Sequence, residues 1–379
     1  MGYYGVVFFE EGEYNEINFD VDLIGVDFEF RGNEDDISIN VSTSLCVAQS
    51  YLNISNIEFD LSDFRSFLII DNSNLTLENV VINSNNPIIN GFNSNVAFDN
   101  VEITSNNQAE PFIDLYLCQF TGLNSILLGE GISLSFNHSV IQMTNFLIEG
   151  QIHPSDNVLF VENSKLDLTD IKFSIDSIYF GDSNPSIIFT TNSSISISNS
   201  FVVYSDLILL EAITSEVVFN SLNVSNCQSS LFINTTLSSV ELNNVIVNHS
   251  KGQFLLAQDT SEVVLRNVTF EKVVSDSPLI EIIDSNFFSV DFDVFNCEVH
   301  SLLDSLKSNS ELTKTYLTNL TLTSGNLLNI DQSFLELTQL EMVGYTFDGI
   351  PNVFTCKQQN YLINSITSTF AIIQSNLIG

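Results

Sequence analysis

Basic side chains are what this sequence has least of. Ten Lys and Arg stand against 47 Asp and Glu, a formal net charge of −37 over 379 residues. A field of that sign repels phosphate backbones and anionic headgroups, which excludes nucleic acid and anionic membrane surfaces as partners. Long apolar runs are missing too, since no window approaches the roughly 18 residues needed to span a bilayer. The opening stretch, MGYYGVVFFEEGEYN, has neither the basic segment nor the unbroken apolar segment of a signal peptide. Val6 stands where a myristoylation motif needs Ser or Thr. The cysteines Cys46, Cys118, Cys227, Cys297 and Cys356 include no C-x-x-C pair, so redox and metal work have no support and no cofactor is expected. Charged residues make up only 15% of the chain while 44% is apolar. The polar surface must therefore be built mainly from Asn, Ser and Thr, and Phe and Ile are too frequent for disorder.

What is present is one pattern, repeated. Apolar residues occupy positions 0 and 2, a turn residue position 4, and apolar residues positions 5 and 7. The pattern starts at Leu52 (LNISNIEF), Leu75 (LTLENVVI), Val96 (VAFDNVEI), Ile141 (IQMTNFLI), Leu166 (LDLTDIKF), Val217 (VVFNSLNV), Val240 (VELNNVIV), Val263 (VVLRNVTF), Thr315 (TYLTNLTL) and Leu335 (LELTQLEM). Degraded copies near Leu115, Ile195 and Phe288 complete a series with a mean spacing of about 24 residues, a solenoid period. A further apolar run precedes each copy, as in SFLII, NPIIN, QFLLA and GNLLNI, and the turn between them often ends in Ser: Ser73, Ser164, Ser215, Ser261, Ser285 and Ser333. Period-two alternation and β-branched enrichment read as three short strands per coil. A leucine-rich repeat shares the period but places its Asn one residue later, and the intervening segments are poor helix formers. At position 4 stands a column of Asn56, Asn79, Asn100, Asn145, Asn244, Asn267 and Asn319, with Asp170 and Gln339 as near equivalents. A tight turn needs a residue that tolerates the left-handed region, and stacked Asn amides can bond to one another. The column is expected to fail near Ser221 and Phe292, marking irregular coils.

With this period and strand content the chain resembles the right-handed parallel β-helix of the pectin-lyase-like superfamily. The expected fold is all-β, a solenoid of about 14 coils, roughly 65 to 70 Å long at about 4.8 Å per coil. Its divisions are residues 1–45 as acidic opening coils, 46–345 as regular coils and 346–379 as incomplete coils. Polysaccharide-cleaving members of that superfamily pair carboxylates with an Arg or Lys base, or place them near Gly-His-Gly and Arg-Ile-Lys motifs, which are absent here. The arginines are Arg31, Arg65 and Arg266.

Acidic residues near the first turn, Asp71, Glu162, Asp259, Asp284 and Asp331, could offer carboxylate oxygens to divalent cations. Their irregular coil spacing favours local turn closure instead. His138, His153, His249 and His300 sit in unrelated contexts and read as loop residues. Cys227 and Cys297 are about three coils apart, roughly 14 Å, beyond disulfide reach, so free thiols packed as small hydrophobes are expected. Ten N-x-Ser/Thr sequons are no more than this Asn-, Ser- and Thr-rich composition supplies by chance. Were the chain secreted, Asn53, Asn74 and Asn223 point outward and could carry glycan.

Function in solenoids concentrates on loops that interrupt the regular surface. The longer ones, 104–111, 149–157 and 174–185, could wall one side of a groove, with Tyr179 and Phe180 either capping the loop against the rod, the favoured reading, or stacking on a sugar. Eleven acids among the first 36 residues, against Arg31 alone, discourage end-to-end stacking. The last residues read as strand without a polar cap, which suggests a piece of a longer polypeptide and, in that case, an extracellular or cell-surface location. The expectation is a monomeric, non-catalytic β-helix serving adhesion or recognition, with neutral glycans or surface proteins as partners. The alternative is a divergent polysaccharide lyase or glycoside hydrolase.

Overall fold

The computed structural model describes residues 3–17, 22–33, 37–41, 43–61, 66–106, 111–152, 157–177, 185–323, 326–347 and 352–356. The chain is an all-β parallel β-solenoid of about 13 turns, with no helix among the described residues. Its contacts gather into two compact units, Met1–Phe189 and Thr190–Gly379.

In the first unit the first strands Leu68–Asp71, Ile89–Phe92, Ile113–Tyr116, Leu134–Asn137 and Leu159–Glu162 pair in parallel, each with its equivalent one coil on. The second and third strands run together, as in Asn74–Ser84 beside Asn95–Asn106, with one residue left out of register at the corner between Glu78 and Val80. The second unit repeats the plan with Glu216–Ser225, Ser239–Asn248, Glu262–Glu271, Asn286–Phe295 and Asn309–Leu322. Inward residues of successive coils stack into the core, Leu75 on Val96 and Leu77 on Phe98, all nearly fully buried.

The corners explain the turn column. Between Leu77 and Val80 two inward side chains are separated by three residues rather than two, so one residue must reverse the alternation. Asn79 does so at φ 53, as do Asn56, Asn100, Asn145, Asp170, Asn244 and Asn267, all between 53 and 58. For an L-residue that conformation costs about 1–2 kcal/mol, less for Asn because its short amide bonds locally. The amides also bond along the column: Asn79 Nδ2 donates to Asn56 at 3.0 Å and Asn100 to Asn79 at 2.8 Å in the first unit, and Asn267 to Asn244 at 2.7 Å in the second.

Asn319 does not stand in that column. Strand register sets Thr313 beside Val290 and Thr315 beside Phe292, so Lys314, at φ 54, occupies the corner opposite Asp291. Asn319 belongs to the next corner and donates to Asn296 at 2.9 Å. The true copy begins at Ser310, not Thr315. Its inward positions Ser310 and Thr315 are 1% exposed but polar, so the apolar pattern slid five residues. The coils at Ser221 and Phe292 are regular, because Ser221 and Asp291 also adopt the left-handed corner, at φ 62 and 55. Parts of the expected loops are paired strand as well. Glu149–Ile152 lie beside Ser174–Ser177, since Ile152 and Ile175 have apolar sites to fill.

A second column lies just after the first-strand corner. In the first unit Ser50, Ser73, Ser94, Cys118, Ser139 and Ser164 follow one another, and in the second Ser193, Ser215, Ser238, Ser261, Ser285, Ser308 and Ser333; every serine in both is buried. The left-handed corner turns the next backbone N–H away from the strand ladder, and the hydroxyl one coil on accepts it. Ser50 N donates to Ser73 Oγ at 3.1 Å and Ser139 N to Ser164 Oγ at 2.9 Å; Ser215 N donates to Ser238 Oγ at 3.0 Å. The hydroxyls pass their own protons to the carbonyl two residues back, as Ser139 does to Asn137 at 2.9 Å, except Ser261, which reaches Gln258 three residues back.

Cys118 fills one of these positions, its thiol accepting from Ser94 N at 3.4 Å. Cys297 does the same at the third corner for Val273 N, also at 3.4 Å. These free thiols therefore replace serine as hydrogen-bonding groups and are more than small hydrophobes. Burial pushes the Cys297 thiol up to about 11. The folded thiol thus keeps its proton above its usual range, and its contribution to stability is lost progressively as pH rises from about 9 to about 11.

Ser139→Ala strands the N–H of Cys118 and is expected to cost about 1–3 kcal/mol in denaturant unfolding, whereas Cys118→Ser should be neutral within about 1 kcal/mol. Native Cys297 should resist iodoacetamide at pH 8 and react fully once the chain is unfolded, as read by mass spectrometry.

Candidate functional site

Outward positions of the first strands form flat columns, and the side chains along them are the surface on which a ligand could lie. In the second unit the register sets Glu281 beside Asp304 and Asp304 beside Asn329, with Ile283, Leu306 and Asp331 forming the neighbouring column. Together they line a groove of about 210 Å³. Parallel strands put Glu281 and Asp304 about 4.8 Å apart at the backbone, and Asp304 about 8 Å diagonally from Asp331.

The acids are held in place by donors. Ser301 Oγ donates to Asp304 Oδ1 at 2.5 Å, and Asn329 Nδ2 donates to the same oxygen at 2.7 Å. Gln253 Nε2 donates to Glu281 Oε2 at 3.1 Å. Asp331 Oδ1 is buried without a hydrogen-bond partner among the described residues. Lys307, at φ 50, is the corner residue directly after Leu306, and its backbone N–H donates to Asp331 O at 2.9 Å. The surface is thus polar, oriented and mostly acidic, with apolar Ile283 and Leu306 in the column beside the acids.

Acid–base chemistry asks for a carboxyl that keeps its proton near a second carboxylate. Burial raises Glu211 above the usual carboxyl range, and burial together with Asp291 raises Asp293. Glu211 stands in the same outward column as Glu281, but three coils away through Asn234 and Leu256, about 14 Å at the strand spacing. Glycosidase carboxyl pairs lie about 5 to 9.5 Å apart, so Glu211 cannot complete a pair with Glu281. Both described arginines are occupied elsewhere: Arg31 Nε donates to Glu29 at 2.9 Å, and Arg266 is paired with Glu241.

The other expected site residues are dispersed. Asp71 accepts from Asn72 and Glu162 from Asn137 in the first unit, while Asp259 and Asp284 are left-handed corner residues in the second. No group of three metal-ligating side chains occurs among the described residues. His138 and His249 are likewise left-handed corner residues, at φ 51 and 48. Of the sequon residues, Asn74 is exposed, with its Oδ1 engaged by Asn95 at 2.6 Å, while Asn53 and Asn223 have buried, unpartnered Oδ1 atoms.

Tyr179, Phe180, Arg65 and His153 lie outside the described residues. An exposed aromatic pair does occur elsewhere on a first-strand face: Phe92 and Tyr116 stack at 5.6 Å with planes 6° apart, and His138 follows at 5.4 Å. Their faces are turned to one another, so solvent meets ring edges, and the strip is a poor platform for a sugar. The groove at Glu281 and Asp304 was not singled out from the sequence, where only Asp331 of its acids was noted. Alternation marks the others as outward, but only the register brings them together.

No family model matches this chain, and no curated protein matches it. Among solved structures, the chain is similar to the catalytic domain of a GH87 α-1,3-glucanase in complex with tetrasaccharides, at 12% identity and a TM-score of 0.34. That match covers 94% of this chain and 64% of the other. The likeness is one of fold alone.

Because desolvation raises the Glu211 carboxyl, folding is favoured while it is protonated, and that advantage is lost as pH rises through its folded value. Glu211→Gln should therefore raise Tm at pH 7 and leave it almost unchanged at pH 4, as measured by calorimetry.

Proposed function

We propose that this chain is a non-catalytic, extracellular or cell-surface member of the pectin-lyase-like superfamily that recognises neutral glycans along its first-strand face. The observation that carries the reading is the groove in which Glu281, Asp304 and Asn329 stand in register beside apolar Ile283 and Leu306. Sugar hydroxyls donate to fixed carboxylate oxygens, and the apolar patches of a pyranose pack on aliphatic side chains. Positions repeating at about 4.8 Å suit an extended, repetitive ligand better than a compact one. The charge of −37 disfavours polyuronates and sulfated glycans, which leaves neutral chains.

A second reading, a divergent hydrolase or lyase, has its own support. Asp304 and Asp331 stand on backbones about 8 Å apart, a spacing that could bring their carboxyls to the separation of an inverting pair, and Lys307 at the adjoining corner is a candidate for a proton-abstracting base. Hydrogen bonds already made by Asp304, and the distance of Glu211, weigh against it.

The test is a glycan array with the full chain, followed by calorimetry and by assays for new reducing ends and unsaturated products. Saturable binding of a neutral glycan, weakened about tenfold or more by Asp304→Asn with Asp331→Asn, and no product formation, is the expected outcome. Turnover abolished by Asp304→Asn or Lys307→Ala would establish the enzyme instead.

A further inference from the structure

In the second unit the ladder departs from regular pairing just after the third-strand corner. Register shifts between Gln228 and Leu231 as they pair with Lys251 and Gln253. Gly252 sits there at φ +133, and a Cβ on it would meet Ser229 O at 1.6 Å. Only glycine fits, so the bulge is specified by the sequence. It opens a pocket of about 390 Å³, within the range of small-ligand sites.

The pocket walls are preorganised. Ser229 Oγ donates to Leu231 O at 2.7 Å and accepts from Leu231 N at 3.3 Å. Across the pocket Ser275 Oγ accepts from Ser277 N at 3.3 Å. Gln253, 9% exposed, lines the pocket and donates to Glu281 of the groove described above, at 3.1 Å. At the mouth, Lys251 Nζ lies 3.5 Å from Asp276 Oδ2, with both side chains more than half exposed. A donor and an acceptor side by side match a vicinal diol, one hydroxyl donating to the carboxylate and its neighbour accepting from the ammonium. Asp276 already balances Lys251, and the surrounding charge is negative, so an anion finds no net attraction.

We infer that the bulge at Gly252 builds a binding site for a neutral sugar residue, held by Lys251, Asp276 and Gln253. This site does not depend on the reading of the groove.

The test is NMR titration of the full chain, labelled at glycine and glutamine, with glucose, galactose and glucuronate. Saturable shifts at Gly252 and Gln253 with a neutral sugar are expected, at least about tenfold weaker with glucuronate, and lost in Lys251→Ala and in Asp276→Ala. Both substitutions remove exposed side chains, so an unchanged melting curve keeps the result interpretable. No saturable shift with either neutral sugar, shifts that survive in both variants, or tighter binding of glucuronate would overturn the proposal. Repeating the titration in Asp304→Asn with Asp331→Asn separates the two sites, because the pocket shifts should persist there even if groove binding is lost.

Discussion

Everything in this fold depends on how a buried N–H is satisfied just past each left-handed corner. A parallel coil must turn three times within about 24 residues, and the first-strand corner removes one amide per coil from the strand ladder. Leaving such a group unpaired in the core costs about 1–3 kcal/mol, repeated once per coil. A small side chain with a lone pair, placed one coil on, removes that penalty without adding volume. Serine does so at nearly every coil of both units, and Cys118 and Cys297 do so with sulfur. Alanine would fit the space but not the hydrogen bond, and threonine would add a methyl group where the strands are already in contact.

The same regularity shapes the surface. Because register is held coil after coil, outward side chains come in columns, and a column of Glu281, Asp304 and Asn329 becomes a surface by repetition rather than by folding of a loop. Departures from the repeat are then the informative places. Gly252 interrupts the ladder and opens a polar recess that joins the groove through Gln253. An acidic chain with so few cations keeps Lys251 beside Asp276 at its mouth.

Fold class was legible because a period near 24 with alternation has few physical solutions, and Asn at the fifth position of most copies marked one corner per coil. The Asn319 assignment shows where that signal fails. Once Ser310 and Thr315 replaced apolar residues at inward positions, the hydrophobic pattern in the sequence matched equally well five residues later, and only strand pairing resolves the two frames. The serine column was half visible, through Ser73, Ser164, Ser215, Ser261, Ser285 and Ser333. Its role was not, since a hydroxyl that accepts an N–H more than 20 residues away leaves no local trace.

The amino-acid sequence by itself determined the parallel β-coil, its period and its acidic surface, because composition and alternation act locally. Tertiary structure alone decided which outward residues are neighbours. Glu281, Asp304 and Asp331 are separated by 23 and 27 residues in sequence, and the register of three coils brings them to one groove. Spacing between coils varies, from 21 residues between Leu68 and Ile89 to 25 between Leu134 and Leu159, and a shift of one residue would send every side chain of a strand to the opposite face.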